Sequence, residues 1–195
     1  MKKGRVRSRR ASAAAWCLLS AAAMVVGAAG ATAAPGVMLD VPFVAQPKNG
    51  CGAASIAMVM QYWQRGARAD AASVDRSNVD TIQRALYSKQ ARGIFASAME
   101  RYLDRAGYRT FAIRGRWNDL RENLEKGRPL IVGLAPQGLH DPLHYVVVAG
   151  MDWQNNWIFV NDPAQRKLLK MGRTEFEKQW AATDDWTLLA VPKSD

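Results

Sequence analysis

At 195 residues the chain is long enough for one domain with a sizeable core. Its 27 lysines and arginines against 17 aspartates and glutamates give a net charge of +10 and a pI near 10.0, a balance that invites a nucleic-acid reading. Locating the charges excludes it: six basic residues and no acidic ones precede Ala34, so the remainder carries 21 against 17, a net +4.

Those six, Lys2, Lys3, Arg5, Arg7, Arg9 and Arg10, head a small apolar run from Ala13 to Ala29 that ends in Ala31-Thr32-Ala33. A basic start, an apolar middle and an A-x-A end describe a secretory signal peptide over residues 1–33, cut between Ala33 and Ala34. A retained anchor is the weaker reading, because the run is short of the roughly 20 apolar residues a span needs. The expected product is an exported domain, 34–195, periplasmic or secreted, with no stable membrane insertion once the leader is gone. Cys17 leaves with the leader, so Cys51 is the only cysteine of that domain. A lone cysteine cannot close an internal disulfide, and an unpaired thiol in an oxidising compartment asks for a chemical role.

After Leu39, Val41-Pro-Phe-Val44 reads as a short strand or extended arm leading to Gln46. Asn49-Gly50 is a turn signal, and from Cys51 to Trp63 there is neither proline nor charge, so a helix is expected to begin at Cys51 or Gly52. It is apolar on nearly every face, the mark of a buried helix. A thiol at a helix N-terminus meets unpaired N–H groups and the positive end of the macrodipole, which favour the nucleophilic thiolate. Cys51 would also fit as a small buried hydrophobe, so other residues must decide.

Residues 65–77 read as a loop, Val79–Tyr87 as a weakly amphipathic helix, and 93–106 as a firmer one with Ile94, Phe95, Ala98, Met99, Tyr102 and Leu103 on its core face. Strand 108–113, helix 118–126 and strand 129–134 come next. The polar turn Asp152–Asn156 then joins two apolar strands, 144–149 and 157–161, as a hairpin. A hairpin centred near 153 or 154 sets His144 opposite positions 162–164, where Asp162 stands. Asp162 also fits as the turn residue before Pro163, and His144 as a hydrogen-bonded structural histidine. The only other histidine, His140, lies in a turn-like segment bordering this strand. A zinc set of Cys51, His140 and His144 is conceivable, but Pro142 between the histidines breaks the helical spacing such a pair needs, and no metal or other cofactor is expected. A strand over 166–171, a helix over 174–180 capped by Thr174, and a strand over 186–191 complete the chain. Helices dominate the first half and strands the second, an α+β pattern.

A thiol nucleophile, an imidazole base and an orienting carboxylate make an acyl-transfer site, and a glutamine just upstream of the cysteine can supply a donor for the oxyanion. Cys51, His144, Asp162 and Gln46 fill those places in order. The motifs Val41-Pro-Phe-Val-Ala-Gln46, Asn49-Gly-Cys-Gly-Ala-Ala-Ser-Ile-Ala-Met58, Gly127-Arg-Pro-Leu-Ile-Val132, His144-Tyr-Val-Val-Val148, Val160-Asn-Asp-Pro-Ala164 and Glu175-Phe-Glu-Lys-Gln-Trp180 resemble those of the C39 and C39-like peptidases. The resemblance covers nearly the whole mature chain. It implies a papain-like architecture, with a cysteine-bearing helical lobe on an antiparallel sheet that carries histidine and aspartate. It implies Cys51 as nucleophile, His144 as general base and then acid, Asp162 as orienter, Gln46 in the oxyanion hole, and a peptide or protein as substrate. Bacteriocin-processing members of the family cut after double-glycine leaders and are fused to transporters. Gly50 here replaces the acidic residue that branch often carries before its cysteine, and the export signal sets this chain apart as well. The same triad in this setting also fits a peptide transferase or a cell-wall peptide amidase. A catalytically silent peptide-binding module is the reading of a different class.

Overall fold

The computed structural model describes Met1 and residues 35–65, 70–136 and 143–193; residues 2–34, with Cys17, and His140 lie outside them. Within 34–195 the chain order is β1 (Gly36–Met38), α1 (Cys51–Gln64), α2 (Ala71–Arg76), α3 (Val79–Leu86), α4 (Ala96–Arg105), β2 (Tyr108–Arg114), α5 (Trp117–Glu125), β3 (Leu130–Leu134), β4 (His144–Asp152), β5 (Trp157–Asp162), β6 (Arg166–Gly172), α6 (Arg173–Ala181) and β7 (Trp186–Pro192). The strands form one sheet in the order β2-β7-β3-β4-β5-β6, with β1 added to β4, and every pairing is antiparallel. This is the α+β fold that the order of elements predicts.

The sheet buries both faces. On one side α1 packs against Ile131, Tyr145, Val147, Ala149 and Leu188, with Ile82 of α3 and Met99 and Leu103 of α4 filling the space around it. On the other, Trp117, Leu120 and Leu124 of α5 and Phe176 and Trp180 of α6 cover Val132, Val146, Val148 and Val160. Burial on both faces explains why β3 and β4 read as continuous apolar runs rather than alternating ones.

Helix α1 is buried from Gly52 to Met60 and is tied down at both ends. Near its start, the fully buried Ser55 hydroxyl donates to Tyr145 O at 3.2 Å. Near its end, Tyr62 Oη donates to Gly127 O at 2.9 Å and Trp63 Nε1 to Ala190 O at 3.0 Å. Gly52 lets the tip approach closely: a Cβ there would stand 3.2 Å from Ile94 Cβ and 3.3 Å from Tyr145 Cδ2.

Four local expectations are corrected. The stretch read as a loop contains α2, started by Asp70, whose carboxylate accepts from Ser73 N–H at 2.6 Å as an N-cap. Strand β1, which was not expected, precedes the segment read as a short strand or extended arm, and Val41–Val44 is the arm of those two. Helix α4 starts at Ala96, so Phe95 is its N-cap and not part of its core face. Gly172, not Thr174, caps α6.

The wholly buried Ile56 sits at the centre of the α1 face. Ile56→Ala is expected to lower unfolding free energy by about 2–5 kcal/mol, read as a lower urea midpoint at unchanged slope.

Candidate active site

The turn before α1 sets the thiol. Gly50 N–H donates to Pro47 O at 2.9 Å, and Asn49 takes a left-handed φ of 56° that asparagine tolerates better than most residues. Cys51 is then the first helical residue. Gly50 offers no side-chain cap and the first turn holds no acidic residue, so none of these competes with an anion for the N–H groups at the helix tip.

Facing it is the start of β4. His144 Nε2 lies 2.8 Å from Asp162 Oδ1, and the ring lines the same cleft as the Cys51 thiol, whose Sγ stands 4.0 Å from Leu143 O. With Nε2–H donating to the carboxylate, Nδ1 is the nitrogen left for sulfur. The hairpin reaches this arrangement by a register other than a plain one. A shift between Val148 and Gly150 moves the β4–β5 ladder, His144 pairs across to Leu134 of β3, and the last β4–β5 pair is Val147 with Asn161. Asp162 therefore reaches the ring from beyond the end of that ladder.

Asp162 serves the turn and the ring together. Its Oδ1 also accepts Ala164 N–H at 2.9 Å and its Oδ2 accepts from Gln165 Nε2 at 2.6 Å, so the turn before β6 fixes the carboxylate that meets the imidazole. One carboxylate thus bonds both the turn and the imidazole.

The charges support one another. Burial alone would push the Cys51 thiol up; the His144 hydrogen bond, the Tyr145 N–H and the imidazole charge more than offset it, and the thiol lies below its ordinary value. Burial alone would push the His144 ring down, yet Asp162 and Cys51 raise it from 6.5 to about 9. Asp162 is likewise held below the usual carboxylate range, with His144 overcoming the effect of burial. Each shift acts in the direction of a thiolate–imidazolium pair.

Cys51, His144 and Gln46 line one cleft of about 530 Å³. Gln46 N–H donates to Pro163 O at 3.0 Å, and its side-chain Oε1 is buried without a partner. A buried acceptor left unpaired costs about 1–3 kcal/mol, and such groups call for a functional explanation. The opposite wall is the segment Ala91–Ala96 with Leu143; Phe95 is 47% and Leu143 40% exposed. Sequence reasoning missed this wall, because Ile94 and Phe95 satisfy a helical period equally well. A larger hollow of about 630 Å³ near Trp117 and Arg173 has neither cysteine nor histidine in its lining.

With this geometry the chain belongs to the Peptidase_C39 like family, whose model matches residues 38–187. Its fold is that of the C39-like, papain-like cysteine peptidases. A structure from Bacillus anthracis described as a C39-like peptidase is 19% identical and covers 82% of this chain and 99% of its own, with a TM-score of 0.56. The double glycine motif protease of an AMS/PCAT transporter, solved in complex with the leader peptide, is 20% identical, covering 80% and 95% at a TM-score of 0.58. The peptidase domain of Streptococcus ComA, a bi-functional ABC transporter, is 22% identical, covering 77% and 98% at 0.57. No curated protein matches the chain at a significant level.

The sign of the pH dependence is set by the pair. Because the ring is raised above 6.5, its contribution to stability is complete below that value and is lost as pH rises through about 9. Asp162→Asn removes a principal group that raises it. The ring midpoint, followed by NMR, is expected to fall from about 9 toward 6.5. Iodoacetamide labelling of Cys51 on the acid side should slow about tenfold for each unit by which the thiol rises.

Proposed function

We propose that this protein is an exported cysteine peptidase that hydrolyses peptide bonds through an acyl-enzyme on Cys51. The observation that carries the reading is a thiol at a helix tip sharing one cleft with an imidazole whose Nε2 stands 2.8 Å from a buried carboxylate.

The thiolate attacks the scissile carbonyl carbon, and the carbonyl oxygen becomes an oxyanion. The Cys51 N–H, at the positive end of α1, and the Gln46 carboxamide are the donors for that charge. His144, as imidazolium, gives its proton to the leaving amine, which departs and leaves a thioester. The neutral ring then takes a proton from water as the water attacks, and collapse of the second tetrahedral species releases the acid and regenerates the pair. Asp162 keeps the ring in the orientation and tautomer that each transfer needs, without itself taking the proton.

The peptide substrate would lie along the cleft between the Gln46 side and the Ala91–Ala96 wall. The neighbour solved with a leader peptide uses the same fold for a peptide ligand, which supports a peptide substrate here. Among the described residues no helix is long and apolar enough to cross a membrane. Export rests on the basic, apolar and A-x-A segments of residues 1–33.

Cys51→Ala is expected to abolish hydrolysis of a peptide pool and the thioester mass adduct seen on quenching the wild type. Gln46→Ala should lower kcat roughly 10²–10³-fold with KM little changed. Hydrolysis surviving in Cys51→Ala would overturn the reading. For export, N-terminal sequencing of protein recovered outside the cytoplasm should begin at Ala34; a chain still beginning at Met1 would overturn that part.

A further inference from the structure

Asn161 is a fully buried polar side chain that follows four apolar residues of β5, and none of the proposed reaction steps uses it. Its amide is fully engaged. Nδ2 donates to Val41 O at 3.2 Å and to Pro42 O at 3.3 Å, and Oδ1 accepts Leu168 N–H at 3.0 Å. The partners explain the need for it. Val41 and Pro42 belong to the arm, outside any strand, so their carbonyls have no ladder to pair with. Leu168 has a left-handed φ of 53° and falls where the β5–β6 register shifts between Val160 and Asp162. One carboxamide thus replaces backbone pairing on both sides of β5.

The arm it holds leads four residues on to Gln46. There a second anchor closes the arm, Gln46 N–H to Pro163 O at 3.0 Å. Both anchors sit in Asn161-Asp162-Pro163, the tripeptide whose middle residue meets the His144 ring. A shift of β5 would move the arm and the carboxylate together, and the position of the oxyanion donor relative to sulfur would change with them.

We infer that Asn161 is a positioning residue for acyl transfer: by tying Val41 and Pro42 to β5 it holds the Gln46 carboxamide where the oxyanion forms. The inference rests on the peptidase reading. It acts through Gln46 and not through the thiolate–imidazolium pair, and two reagents separate those routes. With p-nitrophenyl acetate the Cys51 thiolate attacks the ester carbonyl, a tetrahedral oxyanion forms, p-nitrophenolate leaves and an acetyl thioester remains. With iodoacetamide the thiolate displaces iodide at a saturated carbon, and no oxyanion forms.

In full-length mature protein, Asn161→Ala is expected to slow acetylation about tenfold or more, within the range of a lost oxyanion donor. Iodoacetamide labelling and its pH profile should stay within about twofold of wild type, since the pair that sets thiolate content is intact. In a Gln46→Ala background, adding Asn161→Ala should change acetylation by less than about twofold, the non-additivity of two residues acting through one group. Asn161→Asp, isosteric but without the two N–H donors, should reproduce the selective loss. Parallel loss of both reactions, or effects that multiply with Gln46→Ala, would overturn the inference. So would failure of both Asn161 variants to fold, which would assign the side chain to the fold itself. Wild-type protein that neither acetylates nor alkylates at Cys51 would instead sink the peptidase reading, before any Asn161 variant is made.

Discussion

The site depends on one seating: the N-terminus of α1 held against the first residues of β4. The two sequence positions are far apart, and proton transfer between thiol and imidazole needs them fixed to within fractions of an ångström. Reactive groups held that closely gain several kcal/mol of barrier reduction, and a displacement near 1 Å forfeits a large part of it. The fold supplies the precision through close-packed contact. Gly52 removes a side chain where Ile94 and Tyr145 press on the helix, Ser55 bonds the Tyr145 carbonyl one turn further in, and the opposite end is pinned through Tyr62 and Trp63. A helix buried from Gly52 to Met60 has no other place to go.

That burial works against the chemistry it positions. Taken singly, desolvation would neutralise the thiol, the ring and the carboxylate alike. The charged forms are favoured because each group has a neighbour of opposite sign, and because the outer carboxylate is satisfied twice more by the turn it belongs to. Removing the turn contacts would leave a half-paired buried charge, which is worse than none. The Asx turn at Asp162-Pro163-Ala164 is for this reason part of the electrostatics of the site as much as of the β5–β6 connection.

How much of this is legible in the sequence depends on the range of the interactions. The start of α1 is written locally, in Asn49-Gly50 and the uncharged apolar run behind it, and the β4–β5 hairpin in its polar turn. Counting from that turn sets Asp162 near His144, but the count takes no notice of the shift at Val148/Gly150, which is set by tertiary packing; the ladder partner of His144 is Leu134. Helix α2 does carry a signal, Asp70 three residues before Ser73, masked by alanine-rich and charged surroundings. Phe95 carries none, since a residue one position before a helix fits the same period as the helix itself. Asn161 reads as a polar interruption of a strand, and its meaning needs the arm from more than a hundred residues upstream.

These ranges also divide rate from selectivity. The groups proposed to break and form bonds stand at the ends of regular elements, and those elements belong to the fold shared with structures at 19–22% identity. The wall that would touch substrate side chains is of another kind: Ala91 to Phe95 lies between helices, Arg92 takes a φ of 49°, and Phe95 and Leu143 stand out into the cleft. Apart from Ile94, which is buried against the tip of α1, side chains there can change without disturbing the α1–β4 contact. The shared fold thus supplies a scaffold, and under the proposed reading the choice of peptide would fall to this wall, as expected where function resides in sites carried on a scaffold.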